Sequence, residues 1–150
     1  MRIRIAWIGK TKDPAIASLT DEYLKRISRY VAVEGIAVRD EAALLKLCGR
    51  TLGQKDATKS TLQLLDSRGQ EFTSEKFAQY LENYMDRNPL PLVLAIGAAD
   101  GFREQTQSAA QGMISLGKMT LPHELARIVL LEQVYRAFTI IKRHPYHTGH

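Results

Sequence analysis

Cysteine is almost absent from this 150-residue sequence, since Cys48 is the only one. A single thiol excludes an intrachain disulfide and a cysteine-rich zinc site, and a buried apolar position is the usual place for it. Long hydrophobic runs are lacking as well. The opening MRIRIAWIGKTKDP is too short and too interrupted by Arg2 and Arg4 for a signal peptide, and no run approaches a membrane span. We therefore expect a cytoplasmic protein without a membrane segment.

The glycine motifs of nucleotide-binding proteins are also missing. No G-x-G-x-x-G occurs, because Gly97 and Gly101 of GAADG stand four positions apart. The GKT that starts at Gly9 is not a phosphate-binding loop, since the required earlier glycine would fall at Arg4. The sequence therefore excludes a dinucleotide fingerprint and a P-loop.

Acidic residues are absent after Glu132, although the chain has 16 of them against 21 Lys and Arg, a net charge of +5. The basic end suits a surface that meets phosphates, and it is equally compatible with ordinary solvated surface. Three histidines recur every third residue in HPYHTGH. Because no carboxylate or thiol stands beside them, we expect no metal site there.

What the sequence does contain is an alternation of strand and helix patterns. Its length and its 45% apolar and 25% charged residues suit one domain over residues 1–150. Asp13 and Pro14 mark a helix start, and Thr73 or Ser74 marks another. We predict strands at 2–9, 31–38, 62–66 and 91–97, helices at 14–30, 40–53, after 74, after 101 and at 122–142, a loop at 54–61 and a turn at 67–70. This order predicts an α/β fold.

The stretch PLVLAIG (91–97) is almost wholly apolar, as is typical of a parallel strand buried on both faces. Open parallel sheets bind ligands beyond the carboxyl ends of their strands. Here that rule selects the loop after Leu65, the loop at 97–101 and the segment SLGKMTLPH at 115–123. In that last segment, Gly117 allows unusual backbone angles and Pro122 lacks an amide donor, so it is suited to wrapping around a ligand.

Four stretches, LDSRG (65–69), AIGAADG (95–101), SLGKMTLPHELARIVLLEQVYRAFTI (115–140) and HPYH (144–147), carry a resemblance. In order and spacing they resemble the ribosomal RNA large subunit methyltransferase H family. The resemblance implies a homodimeric SPOUT methyltransferase, whose mostly parallel α/β sheet, flanked by helices, carries a trefoil knot near the C-terminus that holds S-adenosylmethionine. It also implies methylation of N3 of pseudouridine 1915, in helix 69 of 23S ribosomal RNA, on the assembled ribosome.

The resemblance further implies which residues contact the cofactor. Apolar side chains would clamp the adenine, and exposed backbone groups would read its edge and the ribose. From the residues alone, a core position for Leu116, Met119 and Leu121 is favoured, and the resemblance reverses that preference. The implied cofactor contacts are Leu65, Gly97, Leu116, Gly117, Lys118, Met119, Thr120 and Leu121.

Methyl transfer needs no metal and no covalent protein intermediate, only alignment of nucleophile and methyl and management of the N3 proton. Arg136 is the candidate cation that would stabilise the charge left when this proton departs. Glu132, one helical turn earlier, can pair with Arg136, or the two form an ordinary surface ion pair. His123, Tyr146 and His147 are the candidate proton handlers or base-positioning groups.

The chain departs from the family pattern at several places, which include Gly117 where a serine is usual and Thr148 where a basic residue is common. Ala98 and Ala99 stand where a glycine and a proline are usual, and a basic stretch expected after the second strand is missing. These departures leave two alternatives open, a SPOUT methyltransferase acting on another RNA such as transfer RNA, and a non-catalytic ribosome-associated RNA-binding dimer. The helix from Pro122 carries more apolar residues than one face needs, which favours a homodimer.

Overall fold

A five-stranded sheet, parallel at every pairing, forms the centre of the protein. The computed structural model describes residues 1–50 and 59–148. The strand order is β2-β1-β4-β3-β5. The strands are β1 (Arg2–Ile8), β2 (Ala32–Val38), β3 (Thr61–Glu71), β4 (Leu92–Ile96) and β5 (Gly112–Ser115). The helices are α1 (Pro14–Ile27), α2 (Glu41–Leu47), α3 (Ser74–Arg87), α4 (Glu104–Ala109) and α5 (His123–Ile141), followed by a 3-10 turn over Pro145–Thr148.

The helices begin where short polar side chains cap them. The Asp13 carboxylate accepts a hydrogen bond from the Ala15 amide, with Pro14 in the first turn, as predicted. At α3 the cap is Thr73, whose hydroxyl accepts from the Lys76 amide. Asp40 caps α2 in the same way, accepting from the Ala43 amide. These caps fix the points at which the chain leaves the sheet.

Two apolar layers cover the two faces of the sheet. One packs β1, β4 and the helices α1, α3 and α5, with α5 lying between the other two. The other holds α2, α4 and the opposite face of the strands, including the buried Cys48. Every residue of β4 is buried, which confirms the prediction of a strand covered on both faces.

The predicted end of β3 is wrong. The strand was expected to close in a turn at 67–70, but it continues to Glu71. Leu65 and Gln70 both pair with Ile114, so the four residues between them bulge out of the β3–β5 ladder. The turn-forming residues SRGQ therefore produce a bulge and not a turn, because Gln70 and Glu71 resume pairing with β5.

Two other expectations, on a helix and on a loop, need correction, and one strand was not expected. The helix expected over 40–53 ends at Leu47, since Gly49 adopts a left-handed φ of 72°, typical of helix C-termini. Residues 51–53, and 54–58 of the predicted loop, lie outside the described residues, and Thr61 already belongs to β3. Strand β5 had no prediction of its own.

Among the described residues, no helix has the length and apolar character required to cross a bilayer.

Candidate active site

A cleft of about 280 Å³ opens at the carboxyl edge of the sheet, where β4 and β5 end and β3, which lies between them, bulges. All three segments selected from the sequence meet in it. Its walls come from Leu65 to Arg68, Ile96 to Gly101, Leu116, Gly117, Met119, Thr120, Leu121, His123 and Ala126. Parallel strands place their following loops at one edge, so segments distant in sequence come together here.

Most residues that the resemblance assigns to the cofactor line this cleft. Lys118 does not line it and is exposed to solvent. Met119 is 86% exposed and Leu121 is also exposed, so these two are not core residues. Leu116 is half-buried and packs against the main core. The assigned residues that line the cleft are Leu65, Gly97, Leu116, Gly117, Met119, Thr120 and Leu121.

The loop after β5 is held by the side chain of Ser115. The Ser115 hydroxyl donates to the Gly117 carbonyl at 2.9 Å, and the Gly117 amide returns a hydrogen bond to the same hydroxyl at 3.0 Å. Gly117 has a φ of 140°, which residues with a Cβ rarely adopt, although space around it is open. The glycine is therefore required by the backbone angle and not by crowding.

The turn after β4 closes tightly without the usual glycine and proline. Ala98 and Ala99 are both exposed, and the Gly101 amide donates to the Ala98 carbonyl at 2.9 Å. Gly101 supplies the left-handed φ of 79°. A Cβ at Gly97 would lie 3.1 Å from the Phe102 ring, so this position is crowded on its inner side.

The bulge of β3 contributes a charged pair that the sequence did not single out. Asp66 accepts from the amide and the Nε of Arg68 through one oxygen, and from Nη2 through the other, all within 2.9 Å. These hydrogen bonds hold the pKa of Asp66 below its ordinary value. Arg68 keeps 63% of its side chain exposed at the cleft. Only the position of LDSRG after an apolar strand could have signalled this pair.

Of the candidate catalytic residues whose side chains the structure describes, only His123 lines the cleft. Arg136, Glu132 and Tyr146 form a separate cluster, which we call the tail cluster. Arg136 Nε and Nη2 each lie 3.0 Å from Glu132 Oε1, in an ion pair whose two side chains are mostly buried. The Arg136 guanidinium carbon lies 5.2 Å from the centre of the Tyr146 ring. The predicted Glu132–Arg136 pair is therefore present, outside the cleft of its own chain.

The tail cluster fixes the position of the C-terminal turn. The Tyr146 ring packs edge-on against Tyr135, with ring centres 4.8 Å apart. Burial is the main cause that raises the pKa of the Tyr146 hydroxyl, and Glu132 adds to it. The hydrogen bonds that Arg136 donates to Glu132 raise the pKa of Arg136. The His147 backbone belongs to the same turn, and its side chain lies outside the description.

A buried arginine was missed entirely by the sequence analysis. Arg127 is 1% exposed and lies with its guanidinium carbon 3.9 Å from the centre of the Trp7 ring. Its Nη1 donates to the hydroxyls of Thr11 at 2.8 Å and Thr20 at 3.3 Å. Burial lowers the pKa of Arg127 from its ordinary value. One weak signal existed, because Arg127 falls on the buried stripe of α5 three residues before Leu130.

Within residues 1–50 and 59–148, no three His, Cys, Asp or Glu side chains cluster as metal ligands would. The prediction about the histidine tail stays a prediction, since the side chains of His147 and His150 lie outside the description.

Comparison with known proteins agrees with the resemblance read from the sequence. Residues 1–147 match the family described as "Predicted SPOUT methyltransferase". The ribosomal RNA large subunit methyltransferase H of Koribacter versatilis is 51% identical over 150 residues, which cover all of both chains. That of Citrifermentans bemidjiense is 40% identical, covering 98% of this chain and 99% of its own.

A solved structure, "a probable methylase family protein from Haemophilus influenzae Rd KW20", shares the fold. Its TM-score is 0.58 at 13% sequence identity, over 96% of this chain and 69% of that one. The sequence relatives and the all-parallel sheet with its edge cleft lead to the same assignment: the chain belongs to the ribosomal RNA large subunit methyltransferase H family of SPOUT methyltransferases.

Proposed function

We propose that this protein methylates N3 of pseudouridine 1915 in helix 69 of 23S ribosomal RNA, using S-adenosylmethionine, as a homodimer on the assembled cytoplasmic ribosome. One observation carries the proposal. Seven of the eight residues that the family assigns to the cofactor, drawn from three separate loops, line a single cleft. Full-length relatives named as ribosomal RNA large subunit methyltransferases support the class of substrate.

The composition of the cleft fits S-adenosylmethionine. Leu65, Leu116 and Leu121 offer apolar contacts for an adenine, and the backbone of Gly117 has open space around it. Gly97 lines the same cleft with its backbone. When bound, the cofactor supplies an activated methyl group on a sulfonium, so the protein needs no nucleophile of its own. The residues of the cleft are left to orient the reactants and exclude water. The proposed knot is the threading of the 115–123 segment that would place these groups around the cofactor.

Removal of the N3 proton and positioning of the base are the roles that we propose for the tail cluster and His123. A cation beside the base stabilises the charge that develops as the proton leaves, and Arg136 is held in one orientation by Glu132. Tyr146 presents a ring on which a base can stack. Because the tail cluster does not line the cleft of its own chain, we propose that it completes the cleft of a second subunit.

Mass mapping of ribosomal RNA tests the substrate directly. RNA from cells with and without the gene should differ by one methyl group, located at the helix 69 pseudouridine, and the purified protein with S-adenosylmethionine should restore it on ribosomes. A methyl group lost instead from transfer RNA would identify the alternative methyltransferase. Identical maps combined with ribosome binding would identify the non-catalytic alternative.

The cofactor site is tested by filling the cleft. Ala98→Trp places an indole at an exposed position of the cleft wall, so we expect the affinity for S-adenosylmethionine to fall about tenfold or more, measured by calorimetry. A bulky group at Gly97 would instead meet the Phe102 ring and disturb the fold. Ala17→Trp, at an exposed position of α1 outside the cleft, is the matched control. Equal affinities in the two variants would place the cofactor elsewhere.

A further inference from the structure

The loop from Gly9 to Asp13, which joins β1 to α1, is fixed at both ends and at its centre. The Gly9 amide donates to the Val38 carbonyl at 2.9 Å, and Asp13 caps α1. Between them, the Lys12 amide donates to Glu124 Oε1 at 2.7 Å, and Thr11 accepts from Arg127. Two contacts thus fasten this loop to the first turns of α5.

The contacts of Arg127 that hold the loop cost folding free energy. Arg127 buries a guanidinium that forms no salt bridge among the described residues, although the Glu124 carboxylate offsets part of its charge, and its Nε has no hydrogen-bond acceptor. Trp7 Nε1, in the ring beneath it, is likewise unsatisfied. Buried charges and unsatisfied polar groups of this kind are uncommon and call for a reason. The hydrogen bonds that Arg127 does make go to Thr11 in the loop and to Thr20 in α1, so its position defines the shape of the loop.

The loop lies beside two elements that contribute to the cleft. Glu124 and Arg127, which hold it, alternate along α5 with His123 and Ala126, which line the cleft. On the other side, β1 pairs with β4, whose following turn forms a cleft wall. The loop is therefore adjacent to both α5 and the turn after β4, and each of these contributes residues to the cleft.

Two exposed lysines project from this loop. Neither Lys10 nor Lys12 lines the cleft, and no carboxylate of the described residues forms an ion pair with either ammonium group. The nearby carboxylates of Asp13 and Glu124 already accept hydrogen bonds from backbone amides. Two uncompensated cations outside the cleft, on a fixed loop, suit a polyanion that crosses its rim better than a single anionic group inside it.

We infer that the β1–α1 loop is a contact surface for the RNA backbone, in which Lys10 and Lys12 bind phosphates beside the target nucleotide and Arg127 is a positioning residue that presents them. The inference rests on the proposed function and adds a surface to it. Phosphate contacts fix the register of a nucleic acid on a protein without reading its sequence. Here they would hold the strand so that one base reaches the cleft.

The test is equilibrium binding of purified ribosomes at a series of salt concentrations. For Lys10→Ala/Lys12→Ala we expect affinity to fall about tenfold, and the slope of log affinity against log salt to shrink by about one per lysine. The matched control is Lys25→Ala, an exposed lysine in the last turn of α1, which lies at the opposite edge of the sheet. Affinity for S-adenosylhomocysteine should stay unchanged in all three proteins. A double variant with the slope of the wild type, or a control that loses as much affinity, would overturn the inference.

The positioning role is tested by separating KM from kcat. Arg127→Met should raise the KM for ribosomes several-fold while kcat stays within about twofold, and the fluorescence of Trp7, the only tryptophan, reports the loss of its cation. Should this variant fold poorly, Thr11→Val removes the same loop contact from an accessible position. Lower stability at an unchanged KM in either variant would make Arg127 purely structural.

Wild-type protein that binds ribosomes but transfers no methyl group would count against the proposed function alone, because the salt series still tests the lysines.

Discussion

At Gly69 the chain passes so close to β5 that no side chain has room. A Cβ there would lie 2.5 Å from the Met113 carbonyl carbon and 2.7 Å from the Ile114 amide nitrogen. Both are backbone atoms of a paired strand, which cannot move aside as a flexible side chain can. Strand β5 runs directly into Leu116 and Gly117 of the cleft. Gly69 therefore sets the position of the strand that presents the cofactor loop.

Replacing Gly69 with alanine should push β5 away from the bulge. We expect Gly69→Ala to lower the free energy of unfolding by about 1–3 kcal/mol, as overpacking typically does, measured by urea denaturation. Gly112→Ala in β5 itself is the control, because its new Cβ would meet only the end of the Gln63 side chain. Equal losses in the two variants would show that backbone crowding at Gly69 is not the cause.

Individual site residues were predictable to very different degrees. Leu65, Gly97 and Gly117 were assigned through the resemblance, and the structure brings them to one cleft. Arg127 was not predictable, since its role depends on which strand α5 covers and on Trp7 lying beneath it. The Asp66–Arg68 pair depends on a bulge whose geometry is set by β5, a strand close in space but far along the chain. Contacts between side chains of different elements depend on the tertiary structure, and local sequence patterns do not predict them.

Among the elements, those with strong periodicity or clear end signals were predicted well. Strand β1 alternates, β2 is rich in β-branched residues, β4 is an apolar run, and α5 begins next to Pro122 as expected. Strand β5 has four residues and includes Gly112, so its local preference for a strand is weak and its pairing with β3 stabilises it. The same pairing extends β3 past its turn-forming residues.

Helix α5 is apolar on nearly all sides, which sets it apart from α1 and α3. Its inner face is buried between those two helices and the sheet. On its outer face, Leu125 is 48% exposed, and Ile128 and Val129 are only partly covered. A helix without a fully polar face is usually buried on both sides in the assembled protein. This outer face is where we place the second subunit.

A charge on the outer face of α5 should separate the subunits of the proposed dimer. We expect Leu125→Glu to sediment as a monomer in analytical ultracentrifugation and to lose methyl transfer, because a carboxylate would be buried without a partner. Its far-ultraviolet circular dichroism should match that of the wild type, since the residue is half exposed in the single chain. Leu19→Glu on α1, where the leucine is 43% exposed, is the control and should stay dimeric and active. A dimeric, active Leu125→Glu protein would exclude this face as the interface.

At the scale of the whole molecule, the proposed cofactor cleft and the proposed catalytic tail cluster lie apart within one chain. The cleft lies at the carboxyl edge of the sheet, while Tyr146 packs on Tyr135 and lies beside Arg136 in the tail cluster. A two-fold dimer through α5 would place each tail cluster against the other subunit, because an isologous interface exchanges the same surfaces in both directions. Neither chain alone would then hold a complete site.

Subunit mixing tests this arrangement with two proteins that are each nearly inactive at a cofactor concentration that saturates the wild-type cleft but not the Ala98→Trp cleft. One is truncated before His144 and keeps its cleft, and the other carries Ala98→Trp and keeps its tail. After random exchange half of the dimers are mixed, and each of these holds one complete site of two, so activity should return to roughly a quarter of the wild-type value. A mixture of the truncated protein with the double variant, truncated and carrying Ala98→Trp, is the control and should stay inactive. If exchange is demonstrated by mass spectrometry and the first mixture also stays inactive, each subunit uses its own tail, and Arg136 and Tyr146 act by a route other than completing the partner's cleft.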